Sequence, residues 1–311
     1  MKGLDISRAY FREWALPLLR EQRPELAARV AAGRFTGSDA IGADDTLSRD
    51  HWWGPWFELY LDQDDFEREG KELESWLLQQ APKSFQGHTL SGGGTQNVRV
   101  NSSDTFFAGV FWGTFPKSPG DWVRALPEPE KDTILYFMRH GELFYDGSGR
   151  FTERRKSLHT YPPEVRKLRF AQLCFVIFHY GEYNICWRLI HRKEPLSVQI
   201  ALGRFVEGVM RICLLLDDDY SPYWKWLRFA FDKLPVAREL GPMLDSLVAE
   251  SSIEKQGKII LKICEALKPM LISQGIVKVP IDNPYSIPWF CMYSDQIKNG
   301  IDDPDVRRGI Y

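Results

Sequence analysis

Gly37 and Ser38, followed about a dozen positions later by Asp50, are the residues of this chain whose types and spacing point most directly to chemistry. A glycine-serine turn that feeds a helix can offer backbone amides and a hydroxyl to a phosphate. An aspartate entering a strand can hold a magnesium ion against that same phosphate. Gly37 and Ser38 are therefore the candidate phosphate contacts, and Asp50 the candidate catalytic residue and metal ligand. Asp39 is either a helix-capping acid or part of the metal shell. These residues lie in one stretch, Arg34 to Leu61, which closes on a hydrophobic run with strand character, Trp56-Phe57-Glu58-Leu59-Tyr60-Leu61.

The string Ser48-Arg49-Asp50-His51-Trp52-Trp53-Gly54-Pro55 ahead of that run resembles the signature of a family called domain of unknown function 4037. Its members look like nucleotidyltransferases. Gly141-Glu142-Leu143-Phe144-Tyr145-Asp146-Gly147-Ser148-Gly149 is similar to the family's glycine-bounded turn. His159-Thr160-Tyr161-Pro162-Pro163-Glu164-Val165 resembles its Tyr-Pro helix start, and Tyr220-Ser221-Pro222-Tyr223-Trp224-Lys225-Trp226 a third motif. The resemblance runs over roughly residues 30 to 235. It implies a nucleotidyltransferase-like fold with a magnesium-bound nucleoside triphosphate as substrate, lying over Gly37 and Ser38. It also implies transfer of a nucleoside monophosphate to a hydroxyl of a small molecule, an in-line displacement that needs positioning and charge neutralisation. By the same resemblance Lys225 is a phosphate or substrate contact.

One departure from the family pattern opens a second reading. A nucleotidyltransferase core carries carboxylates at alternate strand positions, because residues i and i+2 face the same side and can clamp one ion. Here the position two after Asp50 is Trp52, whose indole has no oxygen for a metal. Glu58 shares the parity of Asp50, but eight strand residues at about 3.3 Å each separate them by some 26 Å. Asp39, Asp44 and Asp45 on the preceding loop, or Asp104, are the available substitutes. A third acid is expected on a later strand, where Val98-Arg99-Val100-Asn101 has none. The alternative to an active transferase is therefore a catalytically degenerate relative that binds a ligand or a partner. In that reading Trp52 is a stacking surface for a flat ligand, while His51, Trp53 and Trp56 read as core.

The elements that must position these residues follow from periodicity and breakers. Residues 4 to 31 carry apolar positions at helical spacing, with Pro17 and Pro24 expected to separate two helices. A strand is expected over 49–61, a helix over 66–80, a loop at Gly92-Gly93-Gly94 and a short strand at 98–101. From Pro163 onward the pattern reads as helices: 165–180, 183–191, 196–216, 224–234, 241–249 and 253–274. The fold class is α+β: a nucleotidyltransferase-like mixed sheet with helices over 1–125, then an α-helical bundle over 126–311.

The totals narrow the partners. With 40 basic and 42 acidic residues among 311, the net charge of -2 gives no general pull toward nucleic acid. Eleven tryptophans and 14 % aromatic residues supply flat surfaces for cores or stacking. Five cysteines without a C-x-x-C pair argue against a disulfide framework and for a reducing cytoplasm. Asp5, Arg8, Arg12 and Glu13 interrupt any signal-peptide core, and no run of about 18 apolar residues exists to span a membrane. The histidines lack metal-ligand spacing. The basic run Arg154-Arg155-Lys156 and the acidic run Asp217-Asp218-Asp219 read as solvated surface.

Overall fold

One of the two inner strands of the sheet, Phe57–Leu61, has apolar residues at both parities, and in the computed structural model all five of its side chains are buried. A strand covered on both faces loses the usual alternation between apolar and polar positions. The described residues are 2–49, 53–90, 97–192, 194–279 and 289–309. Asp50, His51, Trp52 and the Gly92-Gly93-Gly94 loop lie outside them. The chain forms two units, Met1–Phe115 with Ile134–His159, and Pro116–Thr133 with Thr160–Tyr311.

The first unit holds a four-stranded mixed sheet built from β1 (Ala31–Arg34), β2 (Phe57–Leu61), β3 (Val98–Ser102) and β4 (Glu142–Asp146). Its order is β3-β2-β1-β4. β1 runs antiparallel to both β2 and β4, while β2 and β3 are parallel. On one face Phe57, Leu59 and Leu61 pack with Tyr10, Phe11 and Leu19 of the N-terminal helical segment and with Leu73 and Leu77 of the helix Lys71–Gln80. On the other face, Tyr60 gathers Phe35, Phe106 and Phe151 with ring centroids 4.6–6.0 Å apart. Glu58 shares that second parity and is therefore carried into the interior.

The structure corrects several expectations. The strand begins at Phe57, not at residue 49, because Gly54 turns with φ 108° and Pro55 follows it. Leu47–Arg49 is instead a short 3-10 turn. No continuous strand therefore relates Asp50 to Glu58 by parity. The boundary expected at 125/126 also moves, because β4 pairs with β1 and returns Ile134–His159 to the first unit. That return needs glycine at two close approaches. A Cβ on Gly141 would lie 2.5 Å from the Arg34 carbonyl oxygen, and one on Gly33 2.6 Å from that of Glu142. Pro17 does not break the first helical segment, since a π-helical stretch, Phe11–Ala15, precedes Leu16–Gln22 and places Pro17 in its first turn.

The second unit is helical among its described residues. The helix Pro163–Val176 continues through a π-helical stretch, Ile177–Leu189, where the sequence suggested two helices. Gly181 lies within it and lets Phe205 approach: a Cβ there would sit 2.3 Å from the phenyl ring. Pro195–Leu216 and Ile253–Ser273 pack alongside, burying Phe205, Val209, Ile212, Ile260 and Ile263. The fold is thus α+β, a small mixed sheet with helices followed by a largely helical unit. Among the described residues no helix is long and apolar enough to cross a membrane. All five cysteines are free, with Cys174, Cys213 and Cys264 buried as small apolar groups.

Candidate functional site

β1 ends at Arg34 and delivers the chain into the turn that contains Gly37, with φ 90°, and Ser38. The expected phosphate-binding helix does not follow. Asp39–Ile41 is one turn of 3-10 helix, closed by Gly42 at φ 79°. Two of its amides are already used: Ala40 N donates to Gly37 O at 3.2 Å and Ile41 N to Ser38 O at 3.3 Å. The Ser38 hydroxyl donates to the Ser48 carbonyl at 3.4 Å.

Asp39 points inward and is 2 % exposed. Its Oδ1 accepts from Arg34 Nη2 at 2.7 Å, and Arg34 Nη1 donates to Ser7 Oγ at 2.7 Å. The guanidinium carbon lies 3.6 Å from the centre of the Trp56 ring. Glu58, on the same buried side of β2, also acts on Arg34. Burial pushes the Asp39 carboxyl up to about 6 against the pull of Arg34. Burial likewise raises Glu58, opposed by Tyr60 and Arg34, and draws Arg34 down to about 10. The second oxygens, Asp39 Oδ2 and Glu58 Oε2, accept no hydrogen bond among the described residues.

The other loop acids have structural partners. Asp44 Oδ2 accepts from the Gly3 amide and Oδ1 from the Trp53 indole, both at 2.7 Å. Asp45 Oδ1 caps the amides of Leu47 and Ser48 at 3.0 and 2.8 Å. Asp104 pairs with Arg154 at 2.5 Å. On the parallel register Glu58 faces Arg99, so the later strand brings a cation where a third acid was sought. Among the described residues no group of three or more His, Cys, Asp or Glu could hold a metal. Asp50 lies outside them. Lys225 belongs to the second unit, is exposed, and holds its Nζ 5.0 Å from the centre of the Trp226 ring. Gly37, Ser38 and Asp39 are adjacent on one turn of the first unit.

The other motifs resolve into structure. Asp146 caps the helix Arg150–Lys156, accepting from Gly149 N at 2.9 Å and from Thr152 N and Oγ1 at 2.8 and 2.7 Å. In the second unit Tyr161 donates to Asp132 Oδ2 at 2.5 Å and packs edge-on against Tyr220 at 4.6 Å. Asp132 also accepts from Arg169 Nε at 2.6 Å and Nη2 at 3.0 Å, an ion pair buried on both sides.

Sequence reasoning missed a cavity of about 660 Å³ in the second unit. The segment Pro127–Lys131 and the helix Pro195–Leu216 form part of its wall, with Phe175, Val176 and Tyr180 beside them. Arg211 lines it, only 2 % exposed, with Nε and Nη2 donating to Glu207 Oε1 at 3.1 and 2.7 Å. The available signal was the Glu207–Arg211 pair at i, i+4 inside an otherwise apolar helical run.

Residues 129–227 match the model of the family described as Domain of unknown function (DUF4037). The motifs containing Tyr161 and Tyr220 fall within that span. Among proteins of curated function none matches the chain. A solved structure titled as a nucleotidyltransferase-like protein, from Exiguobacterium sibiricum, aligns with a TM-score of 0.39 at 11 % identity. The alignment covers 84 % of this chain and 77 % of that one.

Proposed function

We propose that this chain is a catalytically degenerate nucleotidyltransferase-like protein that works by binding a ligand. The observation that supports this reading is the state of the acids around Gly37 and Ser38. Asp39 faces Arg34, both oxygens of Asp44 are taken by donors, and Asp45 caps a turn. Divalent magnesium needs oxygen ligands free to converge on it. Asp44 and Asp45 are engaged, the unbonded oxygens of Asp39 and Glu58 are buried beside the Arg34 guanidinium, whose charge opposes a second cation there, and Asp50 has Trp52 two positions on in place of a second acid.

Nucleotidyl transfer is the competing reading, and it is tested by pyrophosphate release from each common nucleoside triphosphate with magnesium. In our reading the native protein and Asp50→Asn release pyrophosphate at the same background rate, and magnesium adds nothing to any thermal shift produced by the nucleotide. Fast release by the native protein that disappears in Asp50→Asn would overturn it and restore a magnesium-dependent transferase. A further variant, Trp52→Asp, recreates two acids about 6.6 Å apart on an ideal strand. Tighter magnesium binding by that variant is expected only if the stretch from Asp50 to Trp52 has strand geometry.

A further inference from the structure

We propose that the cavity of the second unit is a binding site for a small organic molecule bearing one anionic group, a phosphate monoester or a carboxylate, on an aromatic or apolar body. This deepens the ligand-binding reading by giving it a place and a chemistry. Arg211 is the centre of the site. Its guanidinium is buried, two of its nitrogens are satisfied by Glu207, and Nη1 has no hydrogen-bond partner among the described residues. A buried charged donor left without an acceptor is costly, and a ligand oxygen at Nη1 would remove that cost.

The surroundings define the rest of the ligand. Arg204, half-exposed, lies 3.5 Å from Glu130 and 3.6 Å from Glu207, distances too long for tight pairing, so it is able to turn toward an anion. A smaller cavity of about 220 Å³ shares Glu130, Arg204, Glu207 and Arg211 and is walled by the exposed aromatics Tyr223 and Trp224. The two arginines thus stand where the two cavities share their walls. Leu173, Phe175, Val176 and Tyr180 give the larger cavity apolar and aromatic surface. Its volume suits an organic molecule rather than a bare ion, since ligand pockets run from about 300 to 1,000 Å³. Glu128, Glu130 and Glu207 balance Lys131, Arg204 and Arg211, so the wall carries no net positive charge, which favours a single anionic group over a triphosphate.

The test uses the full chain and isothermal titration with four probes: phenyl phosphate, benzoate, the neutral isostere benzamide, and inorganic phosphate. At least one of the two aromatic anions should bind at least about tenfold more tightly than benzamide and inorganic phosphate, given the strength of hydrogen bonds to charged groups. Preference for phenyl phosphate would identify a phosphomonoester ligand, and preference for benzoate a carboxylate. Arg211→Met should weaken the preferred anion by about 10- to 100-fold. Arg204→Met, at an exposed position that folding tolerates, should weaken it several-fold and leave benzamide unchanged. The proposal is overturned if benzamide binds as well as the anions, if neither anion binds at millimolar concentration, or if Arg204→Met leaves their affinity unaltered. None of these outcomes depends on Asp50, so the site and the degenerate-transferase reading fail separately.

Discussion

Replacing Asp39 by asparagine should make the protein more stable relative to the native chain at neutral pH than at acid pH, the reverse of what an ordinary favourable ion pair predicts. Among the described residues one buried cation, Arg34, faces two buried carboxylates, Asp39 and Glu58. One carboxylate suffices to neutralise it, and the second is a surplus charge held away from water. Burial is the main cause of the raised Asp39 value, and the nearby Asp44 carboxylate adds to it against the pull of Arg34. A carboxyl whose folded value, about 6, lies above its ordinary 3.8 binds its proton more tightly in the native state. Its contribution to stability is fully present below about pH 4 and is lost as pH rises through about 6. A rise of that size sets a ceiling of roughly 3 kcal/mol, and sharing Arg34 with Glu58 brings the expected change to roughly 1–3 kcal/mol. Asparagine keeps an acceptor for Arg34 Nη2 and has no proton to lose, so that part of the pH slope disappears.

The assay is urea denaturation followed by circular dichroism at about pH 4.5, 6 and 7.5, spanning the window in which the raised carboxyl titrates. Arg34→Met is the control. It leaves Asp39 without its cation and Glu58 with only Arg99 beside it, and should cost about 3–5 kcal/mol near neutral pH, less as the carboxylates take up protons. If Asp39→Asn loses more stability at pH 7.5 than at pH 4.5, the Arg34–Asp39 pair is net favourable and the surplus charge is not there.

Other outcomes follow from single contacts. Asp132→Ala strips the buried Arg169 of its counterion and should lower unfolding free energy by about 3–5 kcal/mol, read from the urea midpoint. Asp146→Ala removes the cap of Arg150–Lys156 and should cost about 1–2 kcal/mol in the same measurement. Gly141→Ala drives a methyl into the Arg34 carbonyl, and a loss of at least about 1–3 kcal/mol is expected by thermal denaturation. Ser38→Ala breaks one long hydrogen bond and should change stability by no more than about 0.5 kcal/mol, so any effect it has on ligand binding is not a folding artefact.

Periodicity carried much of the fold, and it failed where tertiary contacts overrule local signals. Helices over 196–216 and 253–274 and the strand at 98–101 were legible because their patterns are long or cleanly bounded. The start of β2 was not, since Trp52, Trp53 and Trp56 read as strand while Gly54 and Pro55 set the backbone. The return of β4 to β1 was hidden too, because the pairing joins residues more than a hundred positions apart and leaves no local mark beyond two glycines. The gap expected between helices 165–180 and 183–191 is absent, and Gly181 within it lies against Phe205.

The candidate site divides along the same line, and the division explains what the motifs mean. Tyr161, Asp146 and Tyr220 were recognisable in sequence, and each has a position that depends on particular backbone geometry: a helix cap, a buried hydroxyl bonded to Asp132, an edge-on ring. These residues stood out through their likeness to family motifs, and the structure gives each a capping or packing role. Asp39 was also singled out, but its burial beside Arg34 and Glu58 depends on which face of β2 is covered, which local sequence does not state. Arg211 escaped notice for the converse reason. An arginine four residues after a glutamate is an ordinary helical pair on a solvated surface, worth a few tenths of a kcal/mol. Only when the helix is enclosed does the same pair become a buried cation with a donor to spare, and that enclosure comes from Pro127–Lys131 and from Phe175 and Val176, segments far from it in the chain. Tyr161, Asp146 and Tyr220 therefore hold the fold, and Arg211, where we propose the ligand, is a residue that the fold alone makes unusual.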